Sequence, residues 1–176
     1  MKNVLLSGSS GQLGKAICNE LIQNGYFVIG LDLNKNQNKK NFINFKCDIT
    51  KEAQVKNIFI KLKDKKIYPD ILINNAGIGV YGKIEQRKAM EIKKVSDVNL
   101  LGTINLIKNY YLHLKINDRK LIKKIINISS IYGVIPPKFD IYEKDDPRYS
   151  SEIYGATKSG LIQLTKYFAK NFSGKN

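Results

Sequence analysis

Tyr154 and Lys158 stand four residues apart in Tyr154-Gly155-Ala156-Thr157-Lys158, near the start of a segment whose apolar spacing predicts a helix from about Ser151 to Phe172. Four residues put both side chains on one helix face, one turn apart. A phenol ordinarily titrates at about pH 10, and a lysine cation held beside it favours the phenolate and lowers that value. Such a tyrosine can exchange a proton with an alcohol or a carbonyl near neutral pH. A Tyr and a Lys alone on a helix would be coincidence, but two further residues join them. Ser130, in Asn127-Ile128-Ser129-Ser130, can donate a hydrogen bond to a substrate oxygen as charge develops there. Asn99, in Val98-Asn99-Leu100, lies inside a helical pattern where an amide is not the obvious helix former, and is a candidate to hold a water in a proton relay behind Lys158.

A second group of residues points to a bound phosphate. Val4-Leu5-Leu6 reads as a buried parallel strand and runs directly into Gly8, Gly11 and Gly14. Ala16, Ile17, Leu21 and Ile22 then recur at helical spacing. Strand, glycine turn and helix form the context of a dinucleotide-binding loop. A side chain at Gly8 or Gly11 would hold a pyrophosphate away from the backbone N–H groups, Gly14 allows close packing of helix on strand, and the helix N-terminus presents partial positive charge. Asp32 closes the next apolar run, Tyr26 to Leu31, at the distance expected of the acid that binds the adenosine ribose hydroxyls. A carboxylate that merely ends a strand is the alternative.

These residues need a scaffold of alternating strands and helices. After the second strand, residues 34–41 read as an exposed Asn- and Lys-rich loop. Phe42 to Asp48 suggests a third strand, and Lys51 to Leu62 a helix with Val55, Ile58, Phe59 and Leu62 on one face and Thr50 as its N-cap. Ile71 to Asn75 is a fourth strand, about 86–114 a long helix, Lys123 to Ile128 a fifth strand, and about 133–150 a loop rich in Pro, Asp and Tyr. The alternation predicts a doubly wound parallel α/β sheet, and no internal repeat or linker divides residues 1–176, so a single domain is expected.

The chain has 176 residues, enough for a sizeable core. Lys and Arg outnumber Asp and Glu by 30 to 15, a net charge of +15. The lysines are scattered, with short pairs such as Lys39-Lys40 and Lys123-Lys124, and no interleaved basic-aromatic patch or nucleic-acid module accompanies them. Compositional bias towards Lys, Asn and Ile accounts for the charge, and no nucleic-acid partner is expected. No apolar run is long enough to span a bilayer and there is no signal-peptide layout, so a cytoplasmic protein without membrane attachment is expected. Cys18 and Cys47 stand apart with no CxxC, and no metal site is expected. His113 lies in an apolar helical pattern as a packed or surface residue rather than a base.

Taken in order, the glycine loop at 8–14, Asp32, Cys47-Asp48-Ile49-Thr50, Asn74-Asn75-Ala76-Gly77, Asn99, Ser129-Ser130 and Tyr154…Lys158 resemble the short-chain dehydrogenase/reductase family over nearly the whole chain. The resemblance implies a Rossmann-like sheet in the order 3-2-1-4-5. It implies a relay of Asn99, Ser130, Tyr154 and Lys158, with Tyr154 the acid in reduction and the base in oxidation. It implies cofactor contacts from Gly8, Ser10, Gly11, Gln12, Leu13 and Gly14, from Asp32 at the ribose, from Asp48 and Ile49 at the adenine, from Asn75, Ala76 and Gly77, and from Tyr154 and Lys158 at the nicotinamide end. The cofactor expected is NAD, with NADP second because Asp32 would repel its 2′-phosphate.

Three departures from the family pattern bear on function. The G-x-x-G-x-x-G spacing is more typical of the family's extended, sugar-nucleotide branch, whereas Asn74 to Gly77 belongs to the ordinary branch. Ser130 and Tyr154 are also further apart than in ordinary members. This mixture resembles reductases encoded with bacterial surface-polysaccharide and flagellin-glycan pathways, and so implies a small-molecule substrate of sugar or nucleotide-sugar type. A nucleotide-sugar epimerase or dehydratase, or a non-catalytic NAD-binding remnant, is the alternative. The third departure is length: family members continue into sixth and seventh strands, so a C-terminally truncated chain is expected, with a homo-oligomer expected at full length.

Overall fold

In the computed structural model, which describes residues 1–34, 37–116, 124–141 and 149–173, five parallel strands form one sheet. They are β1 (Asn3–Ser7), β2 (Phe27–Asp32), β3 (Phe42–Lys46), β4 (Ile71–Asn74) and β5 (Lys124–Asn127), in the order β3-β2-β1-β4-β5. The order expected from the family resemblance is therefore the order found. β1 is the hinge of the topology: Leu5 pairs with Ile29 of β2 on one side and with Leu72 of β4 on the other. The chain reverses direction across the sheet between β1 and β4, the place where open α/β sheets leave a crevice beyond the strand ends.

The unbroken apolar runs of the strands reflect burial on both faces. Leu5, Ile29, Leu31 and Leu72 point to one face and meet Val55, Ile58, Phe59 and Leu62 of α2 (Glu52–Asp64) and Leu106, Ile107 and Tyr110 of α4 (Gly102–Ile116). Val4, Leu6, Val28 and Ile73 point to the other and meet Ile17, Cys18 and Leu21 of α1 (Gln12–Gln23). β5 departs from the pattern, since its Ile126 is 37% exposed while Ile125 packs on the first core. Side-chain amides tie β5 inward: Asn74 donates to Asn127, and Asn127 donates to Thr165 of α5 (Glu152–Phe172).

Two expectations need correction. The long helix over 86–114 is broken into α3 (Ala89–Ser96), a π-helical turn at Asp97–Leu101, and α4. The Gly102 N–H reaches back to the Asp97 carbonyl, and the Thr103 hydroxyl satisfies the Asn99 carbonyl. Apolar periodicity is blind to one extra residue in a turn, and such π turns concentrate at functional sites. Thr50 does not cap α2: its hydroxyl donates to Asp48, and Lys51 occupies the N-cap without a side-chain bond. At α5 the expected start holds, with Ser151 as N-cap accepting from the Tyr154 N–H. His113 is buried between Phe59 and Tyr68, with ring centroids 5.3 and 5.4 Å away. Among the described residues no helix is long and apolar enough to cross a membrane. Lys123 and residues 142–148 of the loop before Tyr154 lie outside the described residues.

Candidate cofactor and active site

The carboxyl ends of β1, β4 and β5 open into a cleft of about 850 Å3. It is lined by Gly8, Ser10 to Gly14, Asp32, Asp48, Ile49, Asn75 to Gly77, Ser130, Tyr154 and Lys158. Every residue picked out from the sequence as a site candidate, with the exception of Asn99, therefore faces one cavity, although the candidates are spread from residue 8 to residue 158.

Each wall of the cleft has a local cause. Gly8 has φ of +67°, and a Cβ there would lie 2.8 Å from the Ala76 Cα. A Cβ on Gly14 would lie 1.9 Å from the Gly8 carbonyl oxygen. The loop between β1 and α1 is thus pressed against both its own helix and the end of β4. Gly11 is different: the nearest atom to a Cβ there would be 3.5 Å away. Gly11 is also the N-cap of α1, which has no side-chain cap and no acid in its first turn. The first N–H groups of α1 consequently face the cleft without a side-chain acceptor, the arrangement that suits a pyrophosphate.

Asp32 is held at the end of β2 by the N–H groups of Ser10, at 2.9 Å, and Asn34, at 3.0 Å. Two donors leave carboxylate lone pairs for a diol. Asp48 accepts from the Thr50 N–H and hydroxyl, which fixes the turn that presents the buried Ile49. Asn75 donates to the carbonyls of Ser7 and Gly8, and the Ser7 hydroxyl accepts from the N–H groups of Asn75 and Ala76. Ser7 was not singled out from sequence. A small polar residue at the buried end of an apolar strand is the only signal it carries.

At the opposite end of the cleft, Tyr154 is half-buried and Lys158 is buried on the same face of α5. Lys158 Nζ donates to the Ile128 carbonyl at 2.9 Å and stands 5.6 Å from the centroid of the Tyr154 ring. Burial lowers the Lys158 pKa below its ordinary value. The Ser130 hydroxyl oxygen accepts from the Tyr132 N–H at 3.2 Å, which directs its own hydrogen elsewhere and leaves it able to donate. The Ser129 hydroxyl is spent on the Lys158 carbonyl at 2.7 Å.

Asn99 sits behind this wall, fully buried in the π turn. Its carboxamide accepts from the Ile78 N–H and donates to the Ile78 carbonyl and the Thr157 hydroxyl. A Cβ at Gly77 would lie 3.2 Å from Lys158 Nζ and 3.4 Å from Asn99 Oδ1, so the two polar atoms flank one backbone position. Thr157, between Tyr154 and Lys158 in the chain, holds the Asn99 amide and was also not singled out from sequence.

The cavity fits a dinucleotide. Helix N–H groups without a side-chain cap, the Asp32 carboxylate and Ile49 lie along one side, and a tyrosine–lysine pair closes the other. The comparisons agree with that fit. A protein-family model described as short chain dehydrogenase matches residues 2–176. The chain is 29% identical over 189 residues to the post-translational flagellin modification protein A of Campylobacter coli, covering 99% of this chain and 73% of that one. The crystal structure of a short chain dehydrogenase from Leptospira borgpetersenii with bound NAD+ superimposes with a TM-score of 0.90 at 35% identity, over 99% of this chain and 66% of that one. The structure of ElxO with NADP bound superimposes with a TM-score of 0.82 at 30% identity, over 99% of this chain and 69% of that one. The chain spans about half the length of several other curated relatives.

Proposed function

The chain belongs to the short chain dehydrogenase family, whose members are NAD(P)-dependent oxidoreductases, and on that footing we propose that it carries the cofactor-binding and catalytic residues of a reductase acting on a carbonyl or secondary alcohol. The observation that supports this is the convergence of Tyr154, Lys158 and Ser130 on the cleft that the glycine loop opens. The nicotinamide, when bound, supplies or accepts a hydride. Tyr154 gives its phenolic proton to the oxygen in reduction and takes it back in oxidation. Lys158, buried beside the Tyr154 ring, would support negative charge on the phenolic oxygen and would hold the nicotinamide ribose. Ser130 donates to the same substrate oxygen. Asn99 holds the Ile78 backbone and the Thr157 hydroxyl in place behind Lys158, where a relay to solvent would pass.

Asp32 favours NAD over NADP, because a 2′-phosphate would meet its carboxylate with like charge. A sugar-type substrate is supported by the likeness to the Campylobacter flagellin modification protein and by the sequence features shared with the sugar-nucleotide branch. We place the protein in the cytoplasm as a single-domain member of a homo-oligomer, acting on a small molecule.

Tyr154→Phe tests the assignment. NADH affinity, read by fluorescence titration, should stay within about threefold, while turnover of a carbonyl panel should fall by about 10² or more. Near-normal turnover in the variant would remove Tyr154 from its role. NADH binding with no turnover in the parent chain would instead favour a non-catalytic remnant, and tightly retained cofactor with no net NADH change would favour an epimerase or dehydratase.

A further inference from the structure

Among the described residues, Arg87 is a charged side chain withdrawn from solvent for which the proposed chemistry has no use. Its side chain is 4% exposed. The guanidinium reaches four acceptors from three parts of the chain. Nε donates to Glu152 in the first turn of α5 at 3.2 Å, and the two terminal nitrogens donate to the carbonyls of Tyr81, at 3.1 Å, and Gly82, at 2.9 Å. Glu91, which also caps α3 by accepting from the Lys88 N–H, lies 3.6 Å away. Burying a guanidinium is costly unless its fork is filled, and a filled fork is rigid because the group is planar.

The elements it joins are those around the catalytic tyrosine. The 79–82 segment crosses the start of α5: Tyr81 bridges Ser150, and the Gly82 N–H donates to the Tyr149 carbonyl. Ser151 then caps α5 through the Tyr154 N–H. The same segment touches the Tyr154 ring, since a Cβ on Gly79 would lie 3.4 Å from its Cδ2. Arg87 therefore holds both supports of one ring, the strap above it and the helix turn that carries it. Arg87 is not among the residues that line the cleft.

We propose that Arg87 is a positioning residue for Tyr154: the fork to Glu152, Tyr81 and Gly82 locks the 79–82 strap to the first turn of α5 and thereby fixes the tyrosine ring in the cleft. Its relevance to turnover rests on the function proposed above, but the geometry can be tested without turnover.

The test uses the full chain labelled with ring-13C tyrosine, with the Tyr154 signal identified by its absence in Tyr154→Phe. In the parent that signal should be single and narrow. In Arg87→Met it should broaden or split, with NADH affinity within about threefold of the parent because the glycine loop, Asp32 and Ile49 at the far end of the cleft are untouched. Arg87→Lys, which can meet Glu152 but cannot fork to both carbonyls, should restore part of the line shape. Glu152→Gln, a milder change for use if Arg87→Met does not fold, should broaden the same signal, with those of Tyr81 and Tyr149 on the strap contact as the only others affected. If a carbonyl substrate is turned over, Arg87→Met should lower kcat about tenfold to a hundredfold with little change in KM, as expected when a reacting group is misplaced by about an ångström. An unchanged Tyr154 signal in folded Arg87→Met would overturn the proposal. So would parallel changes in all tyrosine signals and in NADH affinity, since these would mark general destabilisation. Failure of the parent to bind NADH would instead refute the functional proposal, while the line shapes would still report on the clamp.

Discussion

Lys158 Nζ stands 5.6 Å from the centroid of the Tyr154 ring, and its one hydrogen bond among the described residues goes to the Ile128 carbonyl. The ammonium is buried with no carboxylate paired to it among those residues, and its charge is free to act on the phenol. Such a site places function against stability. Lys158→Met should abolish turnover and weaken NADH binding, yet raise the melting temperature of the cofactor-free protein by about 2–4 °C, the effect of roughly 1 kcal/mol in a domain of this size. The sign with pH follows from the lowered pKa. Between the folded value and the ordinary 10.5, the unfolded chain binds more protons than the folded one, so stability rises with pH through that window. The advantage of Lys158→Met should therefore shrink as the pH approaches 10.5. Calorimetry of both proteins across alkaline pH measures it, and a variant that melts well below the parent would show that Lys158 is instead a net stabiliser.

Asp32 should set cofactor choice. The parent is expected to bind NADH more tightly than NADPH. Asp32→Ala should narrow the gap by about tenfold, through loss of both the ribose hydrogen bonds and the repulsion of the phosphate. Because the carboxylate also holds the N–H groups of Ser10 and Asn34, the variant should lose NADH affinity as well as gain NADPH affinity. Paired fluorescence titrations decide it, with tighter NADPH binding in the parent as the contrary outcome.

Two glycines of the first loop, Gly14 and Gly11, should separate cleanly on substitution. Gly14→Ala places a methyl 1.9 Å from the Gly8 carbonyl oxygen, where only backbone movement relieves the clash. It should cost about 3 kcal/mol or more and leave little folded protein. Gly11→Ala meets nothing closer than 3.5 Å and should melt within a few degrees of the parent. It should nevertheless bind NADH at least about tenfold more weakly, since the methyl stands where the pyrophosphate approaches the backbone. Equal effects of the two substitutions on melting would contradict this division of labour.

His113 predicts an acid limb to stability. Burial between Phe59 and Tyr68 lowers its pKa below 6.5; a hydrogen bond with the Ile67 backbone opposes the shift, and the charge of Lys63 adds to it. The unfolded chain therefore takes up a proton before the folded one does. Stability from this group is full above 6.5 and falls as the pH drops through the window beneath it. His113→Gln should be less stable at neutral pH but should show a shallower loss of melting temperature between about pH 7 and 5. Identical slopes for the two proteins would exclude His113 as the source.

The sheet and most of the cleft were legible in the sequence because their causes are local or periodic. Val4 to Leu6, Tyr26 to Leu31 and Ile71 to Ile73 read as strands because both faces of the sheet are covered. Gly8, Gly11 and Gly14 read as a phosphate loop because their spacing follows from a strand turning into a helix. Tyr154 and Lys158 read as a pair because helical geometry alone puts them on one face. What only the tertiary structure decided are contacts between segments with no periodicity in common. The π turn at Asp97–Leu101 inserts one residue into an otherwise regular helix, so Asn99 turns to the Ile78 backbone and Thr157. Thr50 gave its hydroxyl to Asp48 rather than to the helix, a choice between two nearby partners that propensity does not separate. Arg87 looked like one more basic residue in a lysine-rich chain. Its burial depends on Glu152, sixty-five residues away, and on two carbonyls whose direction is set only once the 79–82 strap has crossed α5.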